Sequence, residues 1–411
     1  MIHAKIVYTR IFPWGSSAAP SQIDRLQSIT GDDTLGREKE HEIGRLTVLG
    51  YKQGTPTFNA TLKQFEYGAM SFWYRLANLD TPSSAGVDNS VDLDDLSTAR
   101  FDIAGFQTDD DDVFKGTLWF PGLRVKGFNI DIANPDAIVE RTFSLVGEDY
   151  ILLATPSTGY YLGYEDGTKT GSGDLAIALS PVPVEYASGK YVVKVIRVRN
   201  GEATVLEEDV GAAVNTWSYN DGTKTVTVKT CIDGDICKVF YVSATAYTTP
   251  LWTNNNSDAD FLNSEYCEIR MKVGSSERIY RLQTIGLDVS FDRADYKEIG
   301  NNDVVLTGIK EKTVAVSLDK YAEDCTLENI LASDTAYPYI NPREFSDDIQ
   351  LQIKIFDDVA HTNFLIGYLI TGLSPTTISA NQPVNDYQKN TNKLESDNMK
   401  ISDDETELAF S

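Results

Sequence analysis

The sequence predicts a mainly β protein. Two copies of one β-sandwich domain, each with a short helix and a long polar arm, flank a separate β-sandwich module of immunoglobulin-like size. Three observations predict this. The chain repeats itself at a spacing of 256 residues, apolar residues alternate with period two in both copies, and the intervening segment carries hairpin turns at short intervals.

The repeat comes first because it divides the chain. At a shift of 256, Arg25-Leu26-Gln27 falls on Arg281-Leu282-Gln283 and Glu42-Ile43-Gly44 on Glu298-Ile299-Gly300. Twelve of the 41 positions from 25 to 65 are identical, Asp32/Asp288 and Arg37/Arg293 among them. Further on, Ile103, Phe106, Phe114, Gly122 and Leu123 fall on Ile353, Phe356, Phe364, Gly372 and Leu373 at a shift of 250. Thr142 and Leu145 fall on Thr391 and Leu394 at 249. Residues 1–154 and 265–411 are therefore read as two copies of one domain, and 155–264 as an insertion without a counterpart.

Within each copy, Phe58, Ala60 and Leu62, and likewise Val314, Val316 and Leu318, alternate with their neighbours. Ile349, Leu351, Ile353 and Ile355 do the same. Period two means a sheet with one buried face. A short helix is expected near 66–79 and near 324–332, with Trp73 packed in the core. The stretches 25–45 and 281–301 are charged and weakly patterned, and are read as arms that order against a neighbouring subunit. Their candidate ion-pairing residues are Arg37, Glu42, Arg293 and Glu298.

In the insertion, KYVVKVIRV runs through Asn200-Gly201 into ATVLEEDV. Asn-Gly between alternating apolar runs is the strongest short-range hairpin signal. Asp221-Gly222 and Asp233-Gly234 add two more turns, which suggests a sandwich with its own core. Cys231 and Cys237 are read as two free, half-buried thiols. Four cysteines in 411 residues form no disulfide framework and fit a reduced, intracellular origin.

Composition removes several functions. The chain has 36 basic and 61 acidic residues, a net charge of −25. That argues against gripping nucleic acid or an anionic membrane surface. No apolar run approaches the roughly 18 residues of a membrane helix. The N-terminal MIHAKIVYTR has no signal-peptide character, so secretion by that route is not expected. Three dispersed histidines, and the lack of a P-loop, a G-x-S-x-G elbow or a dinucleotide fingerprint, leave no catalytic, cofactor-binding or metal residues to assign. Asp109–Asp112 lacks the spacing of a calcium loop and is read as a polar hairpin turn.

The second copy, LDVSFDRADYKEIGNNDVVLTGIKEKTVAVSLDKYAEDCTLENIL, runs from a polar arm through Glu-Ile-Gly and two strands into a short helix. In that order it resembles the tail tube domain of tailed bacteriophages and related contractile injection systems. The resemblance covers both copies. It implies a β-sandwich with one helix and a long loop reaching adjacent subunits. In a chain with two fused copies it implies rings of three chains with pseudo-sixfold symmetry, stacked as a hollow tube. It further implies a virion structural protein that is no enzyme and needs no cofactor. Such a protein assembles in the host cytoplasm, meets terminator, tape-measure and distal tail or baseplate proteins, and lets viral DNA pass without specific binding or any membrane contact. The alternative is a β-sandwich surface adhesin or carbohydrate-binding protein, to which the 21 tyrosines lend weight. On the tube reading, the insertion projects outward and is removable, and the lumen is acidic. The two copies carry −8 and −12 and the insertion −5.

Overall fold

The computed structural model describes residues 5–34, 37–40, 50–53, 57–80, 89–109, 111, 113–133, 137–147, 150–155, 159–209, 213–245, 262–274, 276–280, 282–296, 306–321, 349–381 and 389–411. The chain is mainly β. Its first third holds β1 (Lys5–Pro13), β2 (Ser21–Gln22), β3 (Leu26–Thr34), β4 (Arg37–Glu40), β5 (Gly50–Gln53), β6 (Thr57–Phe65), α1 (Met70–Leu76), β7 (Ser90–Asp92), α2 (Leu93–Thr98), β8 (Phe101–Thr108), β9 (Phe114–Ala133), β10 (Glu140–Gly147) and β11 (Ile151–Leu153). The middle holds β12 (Tyr161–Thr168), β13 (Gly173–Ala178), β14 (Val192–Arg199), β15 (Glu202–Glu208), β16 (Thr216–Asn220), β17 (Thr225–Cys231) and β18 (Ile236–Ser243). The last third holds β19 (Cys267–Val273), β20 (Ser276–Tyr280), β21 (Thr284–Tyr296), β22 (Leu306–Tyr321), β23 (Ile349–Phe356), β24 (Phe364–Asn381), β25 (Lys389–Ser396) and β26 (Asn398–Ser402).

One antiparallel sheet is common to both ends of the chain, in the order β3-β6-β10-β9-β21-β22-β25-β24. Two cover sheets pack on it. The first is β2-β1-β8-β9-β11 and the second β20-β19-β23-β24-β26-β7. The long strands β9 and β24 each belong to two sheets, the shared sheet with one half and a cover sheet with the other. They turn at equivalent glycines, Gly122 (φ 65) and Gly372 (φ 66), where a left-handed backbone favours glycine.

The two ends of the chain share their strand pairing. The pairings β1–β2, β1–β8, β8–β9, β9–β10, β10–β6, β6–β3 and β9–β11 recur as β19–β20, β19–β23, β23–β24, β24–β25, β25–β22, β22–β21 and β24–β26. Registers recur too: Ile29↔Leu62 becomes Ile285↔Leu318, and Phe143↔Leu62 becomes Asn392↔Leu318. One shift differs from the sequence expectation. β8 aligns with β23 at 248 residues and not 250, since Phe101↔Leu123 matches Ile349↔Leu373, with bulges at both ends of each pair. A slip of two keeps every side chain on its face, so the hydrophobic pattern could not detect it.

The main core lies between the shared sheet and its covers. Phe58, Phe128, Phe143, Leu287 and Val316 meet Ile11, Ile103 and Phe120 from one cover and Met271, Ile353 and Ile370 from the other. Helix α1 is shorter than the expected 66–79. It buries Met70, Phe72, Trp73, Tyr74 and Leu76, so packing and not propensity holds its seven residues. A further short helix, α2, is closed by a capping box between Asp92 and Asp95. The helix expected at 324–332 lies outside the described residues.

The arms need correcting. Residues 26–34 and 284–296 are strands of the shared sheet, with Ile285, Leu287, Val289 and Phe291 buried. Their solvent face is polar, as it must be on a one-sided sheet, and that diluted the periodicity. Among the described residues, their outer parts extend as two-stranded ribbons. Arg37↔Gln53 to Glu40↔Gly50 in one copy correspond to Arg293↔Ile309 to Tyr296↔Leu306 in the other.

The middle module is a seven-stranded sheet in the order β12-β18-β14-β15-β16-β17-β13, folded over a core of Val195, Leu206, Trp217, Val226, Val239 and Tyr241. Its β14–β15 hairpin turns at Asn200 and Gly201, both with positive φ (53 and 80), as a type I′ turn requires. Cys231 and Cys237 are fully buried and not half-buried, their sulfurs 3.8 Å apart. Burial pushes both thiols up. The turn at Asp109 is a polar hairpin: its Oδ1 accepts from the amides of Asp111 and Val113, and Lys115 lies 2.7 Å away.

Candidate assembly interface

The junction between the two copies is a strand pair. β9 ends the first copy's half of the shared sheet and β21 begins the second's, with Ile132↔Ile285, Ile130↔Leu287 and Phe128↔Val289 opposite one another. At Gly127 the backbones approach so closely that a Cβ would lie 2.4 Å from the carbonyl of Val289. Arg293 reaches across the junction and donates Nη2 to the carbonyl of Val125 at 2.6 Å. Along the outer side, β7 of the first copy pairs with β26 of the second, and Lys312 meets Asp94 at 2.6 Å.

Behind the strands sits a buried polar lock. Glu66, Arg141 and Tyr368 are all fully buried. Glu66 Oε1 accepts from the amides of Tyr67 and Gly68, and Oε2 accepts from Arg141 Nη1 at 2.9 Å and from the Tyr368 hydroxyl at 2.8 Å. Arg141 Nε donates to Gln64 Oε1, and the guanidinium lies against the rings of Tyr67, Phe72 and Trp73. Burial, then the Glu66 charge, raises Tyr368 well above its ordinary value. It therefore stays a donor. Glu66 and Arg141 come from the first copy and Tyr368 from the second, so the lock fixes how the two sit. Breaking one partner of such a pair costs about 3–5 kcal/mol.

The candidate residues divide. Arg293 joins the copies as described. Arg37 lies at the start of β4, in register with Arg293, and its side chain falls outside the described residues, as do Glu42 and Glu298 altogether. Glu66, Arg141 and Tyr368 had no local signal, because the tyrosine stands 302 positions from the glutamate.

A second buried cluster attaches the module to the first copy. Asp102 on β8 accepts from Trp14 Nε1 (2.6 Å), Trp119 Nε1 (3.0 Å), the Gly122 amide (2.9 Å) and Lys194 Nζ (2.6 Å). The ammonium of Lys194 sits among the rings of Trp14, Trp119 and Phe240, at 4.5–4.9 Å. Around them Phe12, Leu162, Tyr164, Ile196 and Val242 form a core shared by module and first copy. The module is therefore joined through apolar surface and a buried ion pair, contrary to the expectation of a freely removable unit.

Two strand edges of the shared sheet have no strand beside them among the described residues: β3 at one end and residues 374–381 of β24 at the other. β3 is the counterpart of β21, and β24 of β9. Among the described residues no helix is long and apolar enough to cross a membrane. Among the described residues no three His, Cys, Asp or Glu side chains come together to hold a metal. Comparison with protein-family models and with curated proteins returned no match.

Proposed function

We propose that the chain is the subunit of a phage tail tube, a ring-forming structural protein whose stacked rings make a conduit for DNA. One observation carries the reading. Within the chain, the last strand of one copy's four-strand sheet pairs with the first strand of the next copy's. Among the described residues the same two kinds of edge have no strand beside them at the two ends of the shared sheet. Such a head-to-tail contact repeats until it closes, and a closed sheet has no exposed edge to aggregate. With three chains, six copies of four strands each line the ring. At about 4.8 Å per strand and a tilt near 40°, that wall is about 50 Å across between backbones. A DNA duplex fits inside.

The layering supports an orientation. The module covers the side of the first cover sheet that points away from the shared sheet. The solvent face of the shared sheet is thus the lumen wall, and the module stands outside. That wall is built of Ser, Thr and Asn with Asp32, Asp131, Glu140, Asp288, Asp319 and Glu395. Lys63, Arg124, Lys126 and Lys393 are interspersed. Among the described residues the wall holds no basic cluster, so it has little counterion release to gain from DNA, which would slide past it. Negative-stain microscopy of the purified, concentrated chain tests the reading. Stacked hollow rings are expected, and a monodisperse monomer at every concentration would contradict it.

A further inference from the structure

The internal junction provides a residue-by-residue template for the junction between chains. On the ring reading, we infer that neighbouring chains join through β24 of one and β3 of the next. The ribbon register places Arg37 at this seam as it places Arg293 at the internal junction, and the seam lacks the buried lock that seals each chain internally.

First, the strand registers transfer. Asp288↔Asn129 maps onto Asp32↔Ser379, both exposed on the solvent face, and Val289↔Phe128 maps onto Asp33↔Ile378. Pro375 suits an edge strand, where its missing N–H leaves no partner unsatisfied. Second, the arginine transfers. Arg293 donates to the Val125 carbonyl, and the ribbon register that puts Arg293 opposite Ile309 puts Arg37 opposite Gln53. Val125 corresponds to Pro375 through the shared bulges Ser144/Leu145 and Pro375/Thr377.

Third, the lock does not transfer. The positions of Glu66, Arg141 and Tyr368 correspond to Ala322, Asn390 and Leu118. Ala322, Asn390 and Leu118 can supply neither the carboxylate, the guanidinium nor the hydroxyl of that lock. Gly127, which admits the carbonyl of Val289, corresponds to Thr377, which carries the Cβ that this close approach excludes. The seam between chains is therefore the weaker of two alternating junctions. A chain enters the ring as a sealed pair of domains, and rings open between chains.

The test combines cross-linking with assembly. In tubes of a chain carrying Asp32→Cys and Ser379→Cys, oxidation should give a covalent ladder ending in a closed trimer. The displaced pair Ser28→Cys with Ser379→Cys should give none. R37A should raise the protein concentration needed for tubes at least tenfold while leaving thermal unfolding of the dispersed chain unchanged. R293A should lower the unfolding temperature of the dispersed chain. Tubes that form normally but never cross-link through 32 and 379, or that are indifferent to R37A, would overturn the seam and leave the tube reading standing. Absence of rings from the parent chain would overturn both.

Discussion

On the outer face of its cover sheet the first copy carries Phe12, Trp14, Asp102, Ala104 and Trp119. At the equivalent positions the second copy has Lys272, Gly274, Gln350, Gln352 and Leu369. The first face binds a 110-residue module through an aromatic cluster and the Asp102–Lys194 pair. The second is covered by the last nine residues. Gln350 exchanges hydrogen bonds with Ser411, Gln352 donates to the carbonyl of Leu408, Lys354 pairs with Glu405, and Leu408 itself is buried. The inner faces of these sheets are alike and apolar. Successive residues of a strand point to opposite faces, so one face can keep the fold while the other changes what is attached.

Transplanting or removing these attachments should break the comparison in graded steps. The largest effect is expected from deleting 155–264 with Ala154 joined to Glu265. That exposes Phe12, Trp14 and Trp119 and strands the Asp102 carboxylate, so soluble yield should collapse. Adding the second copy's residues, as Phe12→Lys, Asp102→Gln and Trp119→Leu, should restore part of it. Next, K194M leaves Asp102 buried without its cation. A loss of about 3–5 kcal/mol is expected in urea unfolding, with partial recovery in the double variant with Asp102→Asn.

A pH series isolates a third contact. Lys238 donates to the carbonyl of Pro13 across the module joint, and burial lowers it to about 8 from 10.5. Between those values the unfolded chain holds a proton that the folded chain has shed. Stability should therefore rise from pH 8 to 10.5, by up to about 3 kcal/mol for the full shift. K238M should lack this rise, and parallel curves for the two proteins would contradict the assignment. The smallest effect belongs to the second copy. Ending the chain at Ser402 uncovers a mostly polar face and loses the burial of Leu408, worth about 2 kcal/mol in thermal or urea unfolding.

Much of the fold was legible because strands and turns are local signals. Asn200-Gly201 marks its hairpin, and the match of Arg25–Gln27 with Arg281–Gln283 extends into paired strands. What stayed hidden depends on distance or on ambiguity of period. The β8 shift was invisible because a two-residue slip preserves burial. The strands at 26–34 and 284–296 read as arms because half of their residues face solvent. Glu66, Arg141 and Tyr368, like Asp102 and Lys194, look like ordinary charged or aromatic positions until the sheets bring them together. Of the four arm candidates, Arg293 is the one whose contact the structure describes.

The difference between the two outer faces also bears on the central claim, because only one copy in each chain carries a module. Averaged end-on electron micrographs of the assembled protein should show an inner wall of sixfold appearance with three outward knobs, one per chain. Six knobs would mean six chains in each ring. A particle without a ring would mean that β3 and β24 do not meet, and either result would contradict the account.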